Sequence, residues 1–291
     1  MADLTIRDDG PVRVISFARP GSANTLAGTL MRDYLEAMEE AERDDAIRVV
    51  VTTGTGRTFC VGADLRELVD NLGRPVAELL NDDVIGGEKG LPPLSAKQQQ
   101  LERFGVGRWA QRLYRLTKPS IAAINGAVAG GGTAIAVAQD YRVASINAVV
   151  SYGFLGVGSA PELGLSYRLP RLVGWRVARD FMLENQKLAA ADAHAVGLVD
   201  VVVEAEDLMD NALRHAHRLA ELPDLALRLT KSLLWSAADN QWDEQLRAEY
   251  SAQTLLFGLP DTQQLVRKLA EGLSARGTVP SARTTESKEI P

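Results

Sequence analysis

The sequence is poor in the residues that most readily announce a function. It holds one cysteine, Cys60, so no disulfide can form within the chain, and a reducing, cytoplasmic compartment is the expectation. Its three histidines are His194, His215 and His217. The last two stand two apart on an expected helix and point to different faces, so they do not make a metal site, and no metal is expected. No run of Lys or Arg occurs, and 32 basic against 38 acidic residues leave a formal net charge of −6. Phosphate binding wants a basic face, so nucleic acid is not an expected partner. Neither GxxxxGK[ST] nor GxSxG is present. "GTGRTF" supplies only two glycines of the GxGxxG fingerprint, and the later glycine run fits it no better. Phosphate-loop, serine-hydrolase and dinucleotide-dependent dehydrogenase readings therefore lack their sequence signals.

Long apolar runs are equally scarce. The opening "MADLTIRDDG" is charged and turns early, unlike a signal peptide. Pro119 to Gln139 carries no charge and contains a GxxxG pair, Gly126 and Gly130. Yet Ser120 to Ala138 has seven alanines, four glycines and only five Ile or Val, and Asn125-Gly126 splits it in two. A strand, a turn and a buried helix explain it better than a membrane span, and no membrane partner is expected.

The rest is ordinary for a globular chain of 291 residues: 46% hydrophobic and 24% charged. "LTIRDDGPVRVISF" reads as two strands around a turn, and Leu26 to Arg43 as an amphipathic helix. "IRVVVTTG", Ile47 to Gly54, is a β-branched run suited to a strand buried on both faces. A short strand at Phe59-Cys60, a helix over 64–72, a strand in "KPSIAAIN" and two in "YRVASINAVVSY" follow. Residues 73–107 form an irregular insertion, a length that belongs to functional lids or disordered segments. From Pro161 onward the pattern is mostly helical. Strands alternating with helices early and helices clustered late make the class α/β.

Two features call for a chemical reading. Gly130, Gly131 and Gly132 stand together at an expected helix entrance, although each glycine costs a helix roughly 1 kcal/mol against alanine. A helix N-terminus offers unpaired N–H groups and partial positive charge, and glycines let a ligand approach them; tight strand–helix packing would require the same residues. Glu162 sits in "GVGSAPELGLSYRLPRLVG" among apolar and small residues. A carboxyl in an apolar pocket becomes a usable acid or base, whereas a solvated glutamate just after Pro161 would merely favour a helix start. Cys60 is most simply a small core residue.

Four segments carry a resemblance: "VVVTTGTGRTFCVGADLREL", "KPSIAAINGAVAGGGTAIAVAQDYRVAS", "GVGSAPELGLSYRLPRLVG" and "AADAHAVGLVDVVV". In this order and spacing, over about residues 3–272, the chain resembles the crotonase superfamily, also called the enoyl-CoA hydratase/isomerase family. The resemblance implies a crotonase-like spiral of ββα turns over 1–200. A C-terminal helical region at 201–272 would serve assembly as a homotrimer or dimer of trimers, and the polar tail, 273–291, is expected to be mobile. It implies an acyl-CoA thioester as the substrate, with CoA as part of that substrate and no separate cofactor. The family's oxyanion hole maps to the N–H groups of Ala63 and Gly131. The stretch Ala63, Asp64, Leu65 and Arg66, with Leu68 and Gly130, would bind the CoA and acyl portions. Hydratases of the family carry two glutamates; here those places fall at Ala134 and at Phe154 or its apolar neighbours. Glu162 falls where several double-bond isomerases keep one acidic residue, which makes it the candidate catalytic base. The expected activity is a shift of a 3-enoyl-CoA to a 2-enoyl-CoA. The alternatives are hydration of a 2-enoyl-CoA and a non-catalytic acyl-CoA-binding scaffold.

Overall fold

The computed structural model describes residues 3–70, 72–74 and 108–275. Most of the 73–107 insertion and the end of the chain from residue 276, with the lid-or-disorder and mobile-tail readings attached to them, lie outside the described residues.

Strands form where β-branched residues cluster. β1 (Leu4–Asp9) and β2 (Val12–Phe17) pair antiparallel around Gly10, which turns the chain at φ +58°. β3 (Val49–Gly54), β5 (Ser120–Ile124), β7 (Tyr141–Ser145) and β10 (Val201–Val203) extend this into a six-stranded sheet, order β1-β2-β3-β5-β7-β10, parallel from β2 on. Parallel strands need crossovers. The crossover from β2 to β3 is helical, and each later one lays a short second strand into another sheet: β4 (Thr58–Cys60), β6 (Ala127–Ala129) and β8 (Val149–Ser151), with β9 (Lys187–Ala189) closing its edge. The repetition of one strand in each sheet produces the α/β spiral expected.

Side-chain parity divides the core. Along β3, Val50 joins Ile15, Phe17, Ala122, Ile124 and Ala144 on one face of the large sheet. Val49 and Val51 join Val12, Val14, Ile121, Ala123 and Val143 on the other. The latter face is covered by α7 (Leu208–Ala220) through Leu208, Ala212, Ala216 and Leu219, which recur at helical spacing. The former packs against α1 (Leu30–Arg43) and α4 (Gly131–Ala138). A strand buried on both faces reads as a continuous apolar run, which is why β3 was legible.

Three local readings need correction. The first helix begins at Leu30, not Leu26: Gly28 has φ +60°, and Leu26 forms a parallel bridge with Ala63. α2 is Leu65–Asp70, shorter than 64–72. β9 and β10 interrupt the helical half, and β6 precedes the glycine run; each is three residues long and too short to show a period. The remaining α-helices among the described residues are α3 (Arg108–Tyr114), α5 (Leu165–Leu183), α6 (Ala190–Ala195), α8 (Asp224–Ser236), α9 (Trp242–Phe257) and α10 (Pro260–Ala275). Among the described residues, no helix is long and apolar enough to cross a membrane.

The chain divides into a compact unit through Arg228 and a second from Leu229. In the second, Gln245 ties α9 to α8, donating to the Leu233 carbonyl at 3.0 Å and accepting from Ser236.

A partly buried carboxylate in the first unit gives a pH prediction. Glu42 on α1 accepts from the Thr117 hydroxyl (2.6 Å), the Thr117 and Lys118 N–H groups and the Arg228 guanidinium (2.7 Å). Burial pushes its carboxyl up, but these donors outweigh burial and hold it below the usual 4.5. The unfolded chain therefore binds a proton that the folded chain refuses, and this stabilisation is complete above the unfolded value and lost as pH falls through the folded one. Denaturant midpoints measured between about pH 6 and about pH 3 should fall less steeply for Glu42→Gln than for the natural chain. Equal slopes would contradict the assignment.

Candidate active site

β4 and β6 are parallel neighbours, with Thr58 opposite Ala127 and Cys60 opposite Val128. The segments leaving their C-terminal ends, Val61-Gly62-Ala63 and Gly130-Gly131-Gly132, therefore emerge side by side. Gly62 has φ +82°, a region that favours glycine, and a Cβ on it would stand 2.9 Å from both the Gly131 nitrogen and the Ala129 carbonyl oxygen. Leu26 fixes the outer segment: its N–H donates to the Gly62 carbonyl at 2.8 Å. Gly130, at φ 55° and ψ −124°, caps α4, and its N–H donates to the Tyr152 carbonyl at 3.1 Å. The first turn of α4 closes with Ala134 N–H to the Gly130 carbonyl. The N–H groups of Ala63 and Gly131 have no acceptor among the described residues. Two neighbouring N–H groups, one at the positive end of a helix, can hold an oxygen that gains negative charge.

The three glycines thus have separate reasons. Gly130 supplies a backbone angle. Gly131 leaves its N–H approachable, with Leu26 Cδ1 3.0 Å from where a Cβ would sit. Gly132 is a packing residue, since a Cβ there would overlap the Cys60 carbonyl. The strand–helix packing reading describes Gly132, and the ligand-approach reading of Gly131 belongs to the proposed function. Gly132→Ala should therefore cost about 3 kcal/mol of stability in denaturant unfolding, because the clash is with backbone; unchanged stability would contradict this packing. Cys60 itself is fully buried, and burial pushes its thiol up to about 12, as suits a core residue.

Glu162 lies in the loop before α5. It is partly buried, and its Oε1 is 3.7 Å from the Cβ position of Gly131. The helix-start reading fails locally: α5 begins at Leu165, with Gly164 as its cap at φ 76°. Between them stands Leu163 at φ +54°, a left-handed conformation that costs a non-glycine residue about 1–2 kcal/mol. Such strain persists where the surroundings over-determine it. The Leu163 side chain is buried, and its carbonyl accepts the Tyr114 hydroxyl at 2.9 Å. Leu26, Leu163 and Tyr114 were not legible as site residues; none belongs to a chemical motif.

The other expected contacts lie along the rim. Asp64 serves α2 directly. Its carboxylate accepts from the Arg66 N–H and the Thr25 hydroxyl at 3.0 Å each, and these bonds hold it below the usual carboxylate range. Leu65, Arg66 and Leu68 are exposed on the same short helix, and Gly130 is partly buried beneath. Ala134 and Phe154 are buried and apolar, so neither place offers a carboxylate. His217 meets Asp9 at 3.2 Å and His215 packs on the Tyr141 ring, away from this cleft in sequence and in element.

Comparison with known proteins places the chain in one family. Residues 7–80 and 89–275 match the model of a family described as enoyl-CoA hydratase/isomerase. A probable enoyl-CoA hydratase, echA12, of Mycobacterium leprae is 35% identical over 88% of this chain and 83% of its own length. The 1,2-epoxyphenylacetyl-CoA isomerase of Escherichia coli is 33% identical over 84% of this chain and 86% of its own. The crystal structure of an enoyl-CoA hydratase subunit from Geobacillus kaustophilus superposes with a TM-score of 0.78 at 30% identity, covering 97% of this chain and 98% of that one.

Proposed function

Since the chain belongs to the enoyl-CoA hydratase/isomerase family, we propose that it is a double-bond isomerase, converting a 3-enoyl-CoA to a 2-enoyl-CoA. The observation that carries this reading is the Glu162 carboxylate at the glycine edge. Glu162 Oε1 stands 3.7 Å from the Gly131 Cβ position, while Ala134 and Phe154, both buried and apolar, fall where the resemblance puts the two glutamates of hydratases. In this mechanism the thioester oxygen lies between the N–H groups of Ala63 and Gly131. The Glu162 carboxylate takes a proton from the α-carbon, and the C–H electron pair moves into the enolate. One donor of this kind is worth about 3 kcal/mol of barrier. The same carboxyl then returns the proton to the γ-carbon as the double bond moves to the α,β position. Charge and atoms balance with no water consumed, so one base suffices. Asp64, Leu65, Arg66 and Leu68 would border the CoA portion of the thioester.

Hydration of a 2-enoyl-CoA is the second reading, favoured by the printed name of the M. leprae relative. It needs a water held and activated by Glu162 alone. A product assay separates the two: purified protein offered a 3-enoyl-CoA should yield the 2-ene, and a 2-enoyl-CoA should not yield 3-hydroxyacyl-CoA at a comparable rate. Prompt 3-hydroxyacyl-CoA from the 2-ene would overturn the isomerase assignment. Trp242, Tyr250 and Phe257 are exposed on α9, which supports assembly of the helical region as a homotrimer or dimer of trimers.

A further inference from the structure

The turn that presents Glu162 is held from outside the cleft. Leu163 keeps a left-handed backbone that a non-glycine residue adopts only at a cost, and Gly164 follows at φ 76°, which glycine permits. Tyr114, the last residue of α3, meets this turn twice. Its hydroxyl donates to the Leu163 carbonyl at 2.9 Å, and its ring lies flat enough on Gly164 that a Cβ there would come within 2.9 Å of Cε2. The ring is in turn flanked by the Arg168 guanidinium of α5, 5.6 Å from its centroid. Helices on both sides of the turn thereby clamp one peptide unit adjoining the candidate base.

We infer that Tyr114 is a positioning residue: by holding the Leu163 carbonyl, its hydroxyl fixes the turn that aims Glu162 at the Gly131 edge. The inference rests on Glu162 acting as the base, as proposed above. Leu26, Glu162 and Leu163, not Tyr114, are nearest the Gly131 Cβ position, and the hydroxyl meets the turn at a backbone carbonyl, so Tyr114 acts through the backbone. Burial pushes its hydroxyl up to about 12, which keeps it a donor throughout the range in which the enzyme would be assayed. A side chain held within about half an ångström of its productive place loses rate steeply when its support loosens.

Tyr114→Phe leaves the ring on Gly164 and removes only the hydroxyl. With a 3-enoyl-CoA as substrate, kcat should fall about tenfold while KM stays within about twofold and the melting temperature moves by only a few degrees. In a Glu162→Asp background, where the carboxylate is already displaced, the same change should cost less than about twofold. Arg168→Met keeps the hydroxyl but loosens the ring; it should lower kcat about two- to threefold at unchanged KM, and it carries the test if Tyr114→Phe does not fold. An unchanged kcat in Tyr114→Phe, or equal losses in the natural and Glu162→Asp backgrounds, would overturn the inference. If Tyr114→Phe yields no folded protein, an unchanged kcat in Arg168→Met would overturn it. Full activity of Glu162→Gln would instead overturn the proposed function, and an inactive Glu162→Gln beside a fully active Tyr114→Phe would overturn the positioning role alone.

Discussion

Glu162→Gln should lower kcat for 3-enoyl-CoA conversion by about 10²–10⁴-fold and leave thioester affinity nearly unchanged. The amide keeps the volume of the carboxylate and its place 3.7 Å from the Gly131 Cβ position, but it cannot accept the α-proton. Ala134 and Phe154 supply no substitute base, since both are apolar. Affinity should persist because, in the proposed mechanism, the thioester oxygen lies between backbone N–H groups that the substitution does not touch. Steady-state kinetics alongside calorimetric titration of a non-reacting acyl-CoA check both halves. Loss of affinity in step with loss of rate would assign Glu162 to binding.

Gly62→Ala should be nearly as damaging, by a different route. Its methyl would arrive 2.9 Å from the Gly131 nitrogen and the Ala129 carbonyl oxygen, both backbone atoms, at a φ of +82°. The segment bearing Ala63 must then move away from the one bearing Gly131. Removal of one such donor from a developing oxyanion costs about 10²–10³ in kcat, and a loss of that size is expected here. Gly21→Ala is the control: nothing lies within 4 Å of its Cβ position, and it should leave kcat unchanged. Melting curves separate a displaced N–H from an unfolded chain. A Gly62→Ala enzyme with natural kcat would show that the two N–H groups do not act together.

How much of this was visible beforehand depended on length and on chirality. β3 announces itself because five β-branched residues, Val49 to Thr53, run together, and β2 and β5 because Val, Ile, Phe and Ala fill most of their positions. β6, β9 and β10 are three residues each, and their pairing is decided by neighbours rather than by their own sequence. Leu26 fits the period of the helix that follows it, yet tertiary pairing with Ala63 draws it out of that helix. The glycine run was recognisable as a special place, although spacing alone left ligand approach and packing equally open, and the structure divides them residue by residue. Glu162 was the hardest to judge. The residues around it leave a solvated glutamate and a buried base both open; its assignment came from the family resemblance. Nothing in "APELGLS" signals that Leu163 takes a left-handed angle, because such angles are expected of glycine or asparagine. Tyr114 likewise reads as one more residue of an amphipathic helix, and only the fold brings its hydroxyl to Leu163.

The central claim is that Glu162 moves a proton from the α- to the γ-carbon of a thioester. It is tested most directly with a 3-enoyl-CoA deuterated at C2, given to the natural enzyme and to Glu162→Gln, with products followed by mass and NMR. The account predicts that the natural enzyme forms the 2-enoyl-CoA, several-fold more slowly than with the protiated substrate, with one deuteron gone from C2, and that the variant forms almost none. A variant as fast as the natural enzyme, or a natural enzyme whose first product is the 3-hydroxyacyl-CoA, would contradict it.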